Sequence, residues 1–203
     1  MDVNFIFSIV ILIFSVILHE ISHGYAAELQ GDPTARLEGR LTLNPLKHID
    51  PIGSVLVPIV SYFAGGFLIG WAKPVPFNPY NLKNQRWGEA IVAVAGPGIN
   101  ILIALIFGLF LRFYPIFTLA TEVVNLISII VIINLVLAIF NLVPVPPLDG
   151  SKILFALFPN SLSPLRVFLE RYSIFLVFIL IFFLWKWIVP VIFLFFSLIT
   201  GLA

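Results

Sequence analysis

The sequence predicts an all-α membrane protein: a polytopic bundle of transmembrane helices with one re-entrant or extended segment near residues 51–77. Three observations carry this. Hydrophobic residues make up 61% of the 203-residue chain and charged residues only 10%, against about 25% charged in an ordinary globular domain. The mean hydropathy is +1.12. The apolar residues gather into runs long enough to cross a bilayer, which takes roughly 20 residues per helix. That length suits one membrane-embedded domain over residues 1–203.

Composition also excludes some functions. The net charge of +1 gives no electrostatic case for a nucleic-acid partner. The chain has no cysteine, so disulfides and thiolate metal ligands are ruled out.

The first apolar run covers about residues 4–27. Its start could pass for a signal peptide, but Asp2 replaces the basic start and no small-residue cleavage site follows. A retained span is expected. A polar stretch over 28–50 follows, broken at Gly31-Asp32-Pro33. Residues 51–71 are apolar but read badly as a helix, because Gly53, Pro58, Gly65, Gly66 and Gly70 interrupt them. Trp71 to Phe77 should be extended, since each proline biases its predecessor away from the helical region. Both prolines would suit an edge strand. Two clearer helices follow, near 87–113 and 121–142. A proline-rich turn from Val143 to Lys152 holds Asp149. The C-terminal hydrophobic region spans about 172–203, and its Trp185-Lys186-Trp187 group reads as an interfacial anchor.

The chemistry lies inside the first run, at His19-Glu20-Ile21-Ser22-His23. Charged and metal-binding side chains at membrane depth are costly and point to function. On a helix, His19 and His23 share a face and can hold one Zn²⁺, while Glu20 stands ready to act on a water beside it. A catalytic zinc site takes a third protein ligand. The chain's third histidine, His48, lies in the polar loop and reads as a ligand or as a loop hydrogen-bonder. Asp149 stands alone among Pro146, Pro147, Leu148 and Gly150. It suits a ligand position, the N-cap of a helix starting near Ser151, or both.

His19 to His23, taken with Asn141-Leu142-Val143-Pro144-Val145-Pro146-Pro147-Leu148-Asp149-Gly150, resembles the site-2 protease family of intramembrane zinc metalloproteases. Gly96-Pro97-Gly98-Ile99-Asn100 resembles a further motif of that family. Asn44-Pro45, Asp50-Pro51-Ile52-Gly53 and the segment from Gly70 to Pro79 resemble its compact branch without added soluble domains. The resemblance covers about Val16 to Leu157. It implies that His19, His23 and Asp149 bind zinc and that Glu20 is the general base. It puts Asn141 near the metal, bonding the substrate backbone or the developing oxyanion. Asn100 would do something similar or tie two helices together. Gly96 and Gly98 are expected to allow close helix packing. The activity implied is hydrolysis of peptide bonds in or near transmembrane segments of membrane-protein substrates, within the lipid bilayer. Trp71, Lys73 and Val75 fall in the segment that would pair with the unwound substrate, with the Lys73 side chain solvated. The alternative is a non-proteolytic zinc-binding membrane protein or transporter, though the repeated architecture typical of transporters is not found. Oligomeric state is left open.

Topology follows from parity. For His19, His23 and Asp149 to share an ion, the helices ending near Ala27 and Leu142 must run in the same direction. The helix at 87–113 makes the one return crossing. A full crossing by 51–71 would put Asp149 roughly 30 Å away, so the segment should enter and leave on one side. Lys and Arg then gather on the zinc-bearing side, which the positive-inside rule makes cytoplasmic, in a multi-pass protein of the cell membrane.

Overall fold

The computed structural model describes residues 3–57, 71–113, 119–158 and 163–202. Among the described residues there is no strand, and eight α-helices order the chain: α1 (Val3–Leu29), α2 (Thr34–Leu37), α3 (Gly88–Phe113), α4 (Thr121–Asn141), α5 (Asp149–Leu157), α6 (Ser163–Arg171), α7 (Ser173–Ile179) and α8 (Trp185–Thr200). A wider helical turn over Leu180–Leu184 joins α7 to α8.

Four of these stretches are long and apolar enough to cross a membrane: Asn4–Leu29, Gly88–Phe113, Thr121–Asn141 and Phe175–Thr200. Their mean hydropathies run from 2.3 to 2.9. Most of each span faces outward, as expected when the solvent is lipid and outward apolar side chains cost nothing. The protein is therefore an integral membrane protein.

In the C-terminal region, Phe175–Thr200 is one helical stretch long and apolar enough to cross once. Pro190 sits inside α8 and the helix continues to Thr200. Lys186 therefore lies near the middle of that span, eleven residues or about 16 Å along the axis from Phe175. Lys186 Nζ lies 5.6 Å from the centre of the exposed Trp187 ring.

Helix α3 is the hub, packing against α1, α4, α5 and α8. Its sequence explains why. Gly88, Ala90, Ala93, Gly96, Ala104 and Gly108 are all buried, and small residues let helix backbones approach closely. A Cβ at Gly108 would lie 2.4 Å from Ile199 on α8. Ala104, Val131, Leu135, Ile192 and Phe196 form the apolar core between α3, α4 and α8.

The polar loop after α1 is folded by its own side chains. Asp32 has no exposed surface. Its carboxylate accepts hydrogen bonds from Thr34, the Asn81 side chain and the Asn78 backbone. Burial pushes this carboxyl up, but those donors outweigh it and hold it below the ordinary carboxylate range. Asn44 and Asp50 cap the short helical turns at Pro45–Lys47 and Pro51–Leu56.

The expected re-entrant stretch falls largely on residues 58–70, which lie outside the described residues. Its two ends are described, and they meet. The Trp71 N–H donates to the Gly53 carbonyl at 3.0 Å, and the Ser54 hydroxyl donates to the Trp71 carbonyl at 2.8 Å.

Candidate metal centre

Helix α1 carries His19 and His23 one turn apart, 6% and 8% exposed. Their rings meet edge to face, with centroids 4.6 Å apart. Asp149 is the first residue of α5 and 6% exposed. Its Oδ2 lies 3.2 Å from Nε2 of His19 and 3.2 Å from Nε2 of His23. The N-cap of α5 is Leu148, and no side-chain bond caps the helix. The cap alternative for Asp149 is thereby corrected: its carboxylate turns to the histidines.

The far nitrogen of each ring is held. His23 Nδ1 is 2.7 Å from the Val92 carbonyl of α3. A carbonyl can only accept, so Nδ1 carries the proton and Nε2 offers its lone pair. His19 Nδ1 is 2.6 Å from Asn100 Oδ1, with the same consequence. Three acceptor atoms thus converge with no donor among them, an arrangement that calls for a cation. Donors about 2.0–2.1 Å from a tetrahedral zinc stand roughly 3.3 Å apart, close to the spacing found. Glu20 belongs to the same cluster: ligand atoms of His19, Glu20 and His23 all lie within 4.8 Å of one another.

Gly96 leaves space beside the two imidazoles. A Cβ there would lie 2.5 Å from Nε2 of both histidines, whereas a Cβ at Gly98 would meet nothing within 4 Å. The expectation that both glycines serve helix packing is refined. Gly96 borders the metal cleft, and Gly98 is open.

Glu20, half-buried, accepts the Val75 N–H at 2.8 Å. It thus links the histidine helix to the segment from Trp71 to Phe77. Lys152 links α5 to the same segment, with Nζ 3.6 Å from Asp149 Oδ1 and 5.4 Å from the centre of the Phe77 ring. Trp71 is half exposed, Lys73 exposed and Val75 buried. Asn141 sits at the end of α4, and its side chain donates to Leu137 C=O of its own helix. Asn100 has no exposed surface. His48 is buried away from the cluster, with Nε2 2.8 Å from the Thr42 carbonyl and its own carbonyl accepting the Lys73 N–H. The loop-bonding reading of His48 fits that geometry.

Several residues here went unnoticed in the sequence. Arg40, 5% exposed, donates from Nη2 to the Lys73 and Pro74 carbonyls at 2.9 and 3.2 Å. Ser15 and Asn134 are buried beside Asn100. Polar residues inside apolar runs were the available signal, since they are costly there unless partnered.

A family model described as Peptidase family M50 matches residues 7–122 and 114–184. The chain belongs to peptidase family M50, the site-2 protease family. It is 39% identical over 181 residues to "Putative zinc metalloprotease YwhC" of Bacillus subtilis, covering 86% of this chain and 78% of that protein. It is also 33% identical over 140 residues to "Putative zinc metalloprotease Rip2" of Mycolicibacterium smegmatis, covering 68% of this chain and 52% of that one. A Methanocaldococcus jannaschii zinc metalloprotease is 26% identical over 157 residues, 77% of this chain and 36% of its own length. No solved structure matches the chain. Membership in family M50 makes the protein a metalloprotease, and the donor set of the buried cluster fits zinc.

Proposed function

We propose that this M50 member is an intramembrane protease that cuts peptide bonds in or near transmembrane segments of other membrane proteins. The observation that carries the reading is the convergence of His19 Nε2, His23 Nε2 and Asp149 Oδ2 beside Glu20, among helices that span the bilayer. These three residues would hold the zinc. When bound, zinc supplies Lewis acidity and makes water a competent nucleophile near neutral pH. Glu20 takes the proton from the attacking water and returns it to the leaving amine. Asn141, at the site end of α4, is assigned to the substrate backbone or the oxyanion. To do so its side chain would have to give up its bond to Leu137.

The segment from Trp71 to Phe77 would position the unwound substrate. Its backbone sets how. Trp71, Lys73 and Val75 turn their N–H groups inward, to Gly53, His48 and Glu20. The alternate positions include Pro74 and Pro76, which have no N–H. The Pro74 carbonyl is taken by Arg40, so the outward edge offers the Ala72 and Pro76 carbonyls and one N–H, that of Ala72, and a substrate strand would donate to it more than it receives.

Topology rests on the two ends of the 51–77 excursion being bonded at Gly53 and Trp71, which supports entry and exit on one side. With Arg36, Arg40, Lys47, Lys73, Lys83, Arg86, Lys152, Arg166 and Arg171 on the site's side of the spans, that side is cytoplasmic, in the cell membrane.

The test is co-expression with a panel of single-span membrane proteins. Wild type should release new fragments. Glu20→Gln should keep its zinc and release none. Cleavage that persists in Glu20→Gln would sink the mechanism. Zinc flux without cleavage, unchanged by Glu20→Gln, would favour the transporter alternative.

A further inference from the structure

A buried polar chain runs from the metal cleft across three spanning helices. His19 Nδ1 meets Asn100 Oδ1 at 2.6 Å. Asn100 Nδ2 meets Asn134 Oδ1 at 2.9 Å and the Ser15 carbonyl at 3.4 Å. Asn134 Nδ2 meets the Ser15 hydroxyl at 3.0 Å and the Ile130 carbonyl at 2.9 Å. Neither asparagine has any exposed surface, so bulk water does not reach these bonds.

The direction of the chain is fixed from its far end. A backbone carbonyl can only accept, so Asn134 must turn its NH₂ toward Ile130. Its oxygen then faces Asn100. That oxygen accepts, so Asn100 must present its own NH₂ to it, and the Ser15 carbonyl asks for the same orientation. The Asn100 oxygen is left facing His19, whose Nδ1 must carry the proton. Nε2 is then a free lone pair aimed at Asp149. Each link forces the next.

We propose that Asn134 is a positioning residue for the metal site: through Asn100 it fixes which nitrogen of His19 is the ligand. This rests on His19 binding zinc, as proposed above. Without Asn134, Asn100 keeps only the long bond to Ser15. It can then rotate its amide and donate to His19 Nδ1, which moves the ring proton to Nε2 and blocks ligation. Second-layer partners of this kind typically hold 10- to 100-fold in metal affinity.

Three substitutions in the full-length protein test polarity apart from packing. Asn134→Leu removes the acceptor, and zinc affinity by chelator competition should fall about tenfold or more. Asn134→Asp, as the neutral acid, keeps an acceptor for Asn100 and an O–H for the Ile130 carbonyl, and affinity should stay within about threefold of wild type. Adding Asn100→Asp to Asn134→Leu gives His19 a partner that can only accept, and affinity should recover. Imidazole ¹⁵N shifts of chelator-stripped protein at alkaline pH should show His19 protonated at Nδ1 in wild type, mixed in Asn134→Leu and restored in the double variant. Equal loss in Asn134→Asp and Asn134→Leu, or no recovery on adding Asn100→Asp, would show a packing role and overturn the proposal. If Asn134→Leu does not fold, the wild-type shifts and Asn134→Asp decide the matter. A wild type that binds no zinc would instead defeat the metal reading itself.

Discussion

At the scale of single residues, the metal centre depends on what Gly96 lacks. A methyl group there would lie 2.5 Å from Nε2 of both His19 and His23, and so in the space proposed above for the ion. Gly96→Ala should therefore lower zinc affinity by about 10- to 100-fold, an effect as large as losing a ligand's supporting partner. Metal content of the purified protein measures this. Gly98→Ala, two residues along the same helix but in open space, should keep full zinc and gain about 0.5–1 kcal/mol from better helix propensity. A thermal melt separates the two. Much of the site was legible at this scale. The His19-Glu20-Ile21-Ser22-His23 spacing places two imidazoles on one helical face, and an isolated Asp149 in a rigid turn stands out for the same reason. Gly96 was read only as a packing residue, because a sequence does not say which side of a helix meets which ring. Asn134 and Ser15 were missed for a related reason. Their importance lies in being neighbours of Asn100 across helices, and no local pattern encodes that.

At the scale of elements, the segment from Trp71 to Phe77 shows how the prolines were read correctly and their consequence was not. An extended stretch was expected, and alternate N–H groups do turn to one side. The partners, however, are a loop carbonyl, a turn carbonyl and the Glu20 carboxylate rather than a neighbouring strand. Arg40 is the element's clamp. It is buried, its Nε lacks a hydrogen-bond partner among the described residues, and two backbone carbonyls take its Nη2. Hydrogen bonds to charged groups contribute about 1.5–3 kcal/mol, so Arg40→Met should loosen the segment locally while the bundle holds. Hydrogen exchange at the amides of Lys73 and Val75 should speed up by about tenfold or more, since about 1.4 kcal/mol corresponds to one factor of ten. Zinc content should stay unchanged and cleavage should fall, because Val75 no longer holds Glu20 in place. Unchanged exchange would show that the contacts through Gly53 and His48 suffice. The helices themselves were mostly legible: those predicted at 87–113 and 121–142 differ from α3 and α4 by a residue at most. The tail was harder. Pro190 sits inside it and removes a backbone donor, yet in a bilayer neighbouring groups tolerate that loss, and the helix runs on to Thr200.

At the scale of the whole molecule, the question is what holds spans together when lipid is as apolar as their side chains. Only 17% to 39% of each span is buried within the protein. Hydrogen bonds between membrane helices average about 0.6 kcal/mol. The polar chain through Ser15, Asn100 and Asn134 is therefore a modest tie between α1, α3 and α4. The zinc proposed above to join α1 to the first residue of α5 would be a stronger one, because His19 and Asp149 are 130 residues apart in sequence. A ligand that binds only the folded state stabilises it by about 4 kcal/mol when present at 1,000 times its dissociation constant. Chelation should thus lower the melting temperature in detergent, and added zinc should restore it. Asp149→Ala should start from the lower value and respond little to either treatment. The loss should also be uneven: α5 and the C-terminal turn of α1 should become accessible to protease first, while the Ala104, Val131, Leu135, Ile192 and Phe196 core, which owes nothing to the metal, should persist. If chelation empties the site and the melting temperature does not move, the ion does chemistry alone and the bundle is held by its small-residue packing around α3.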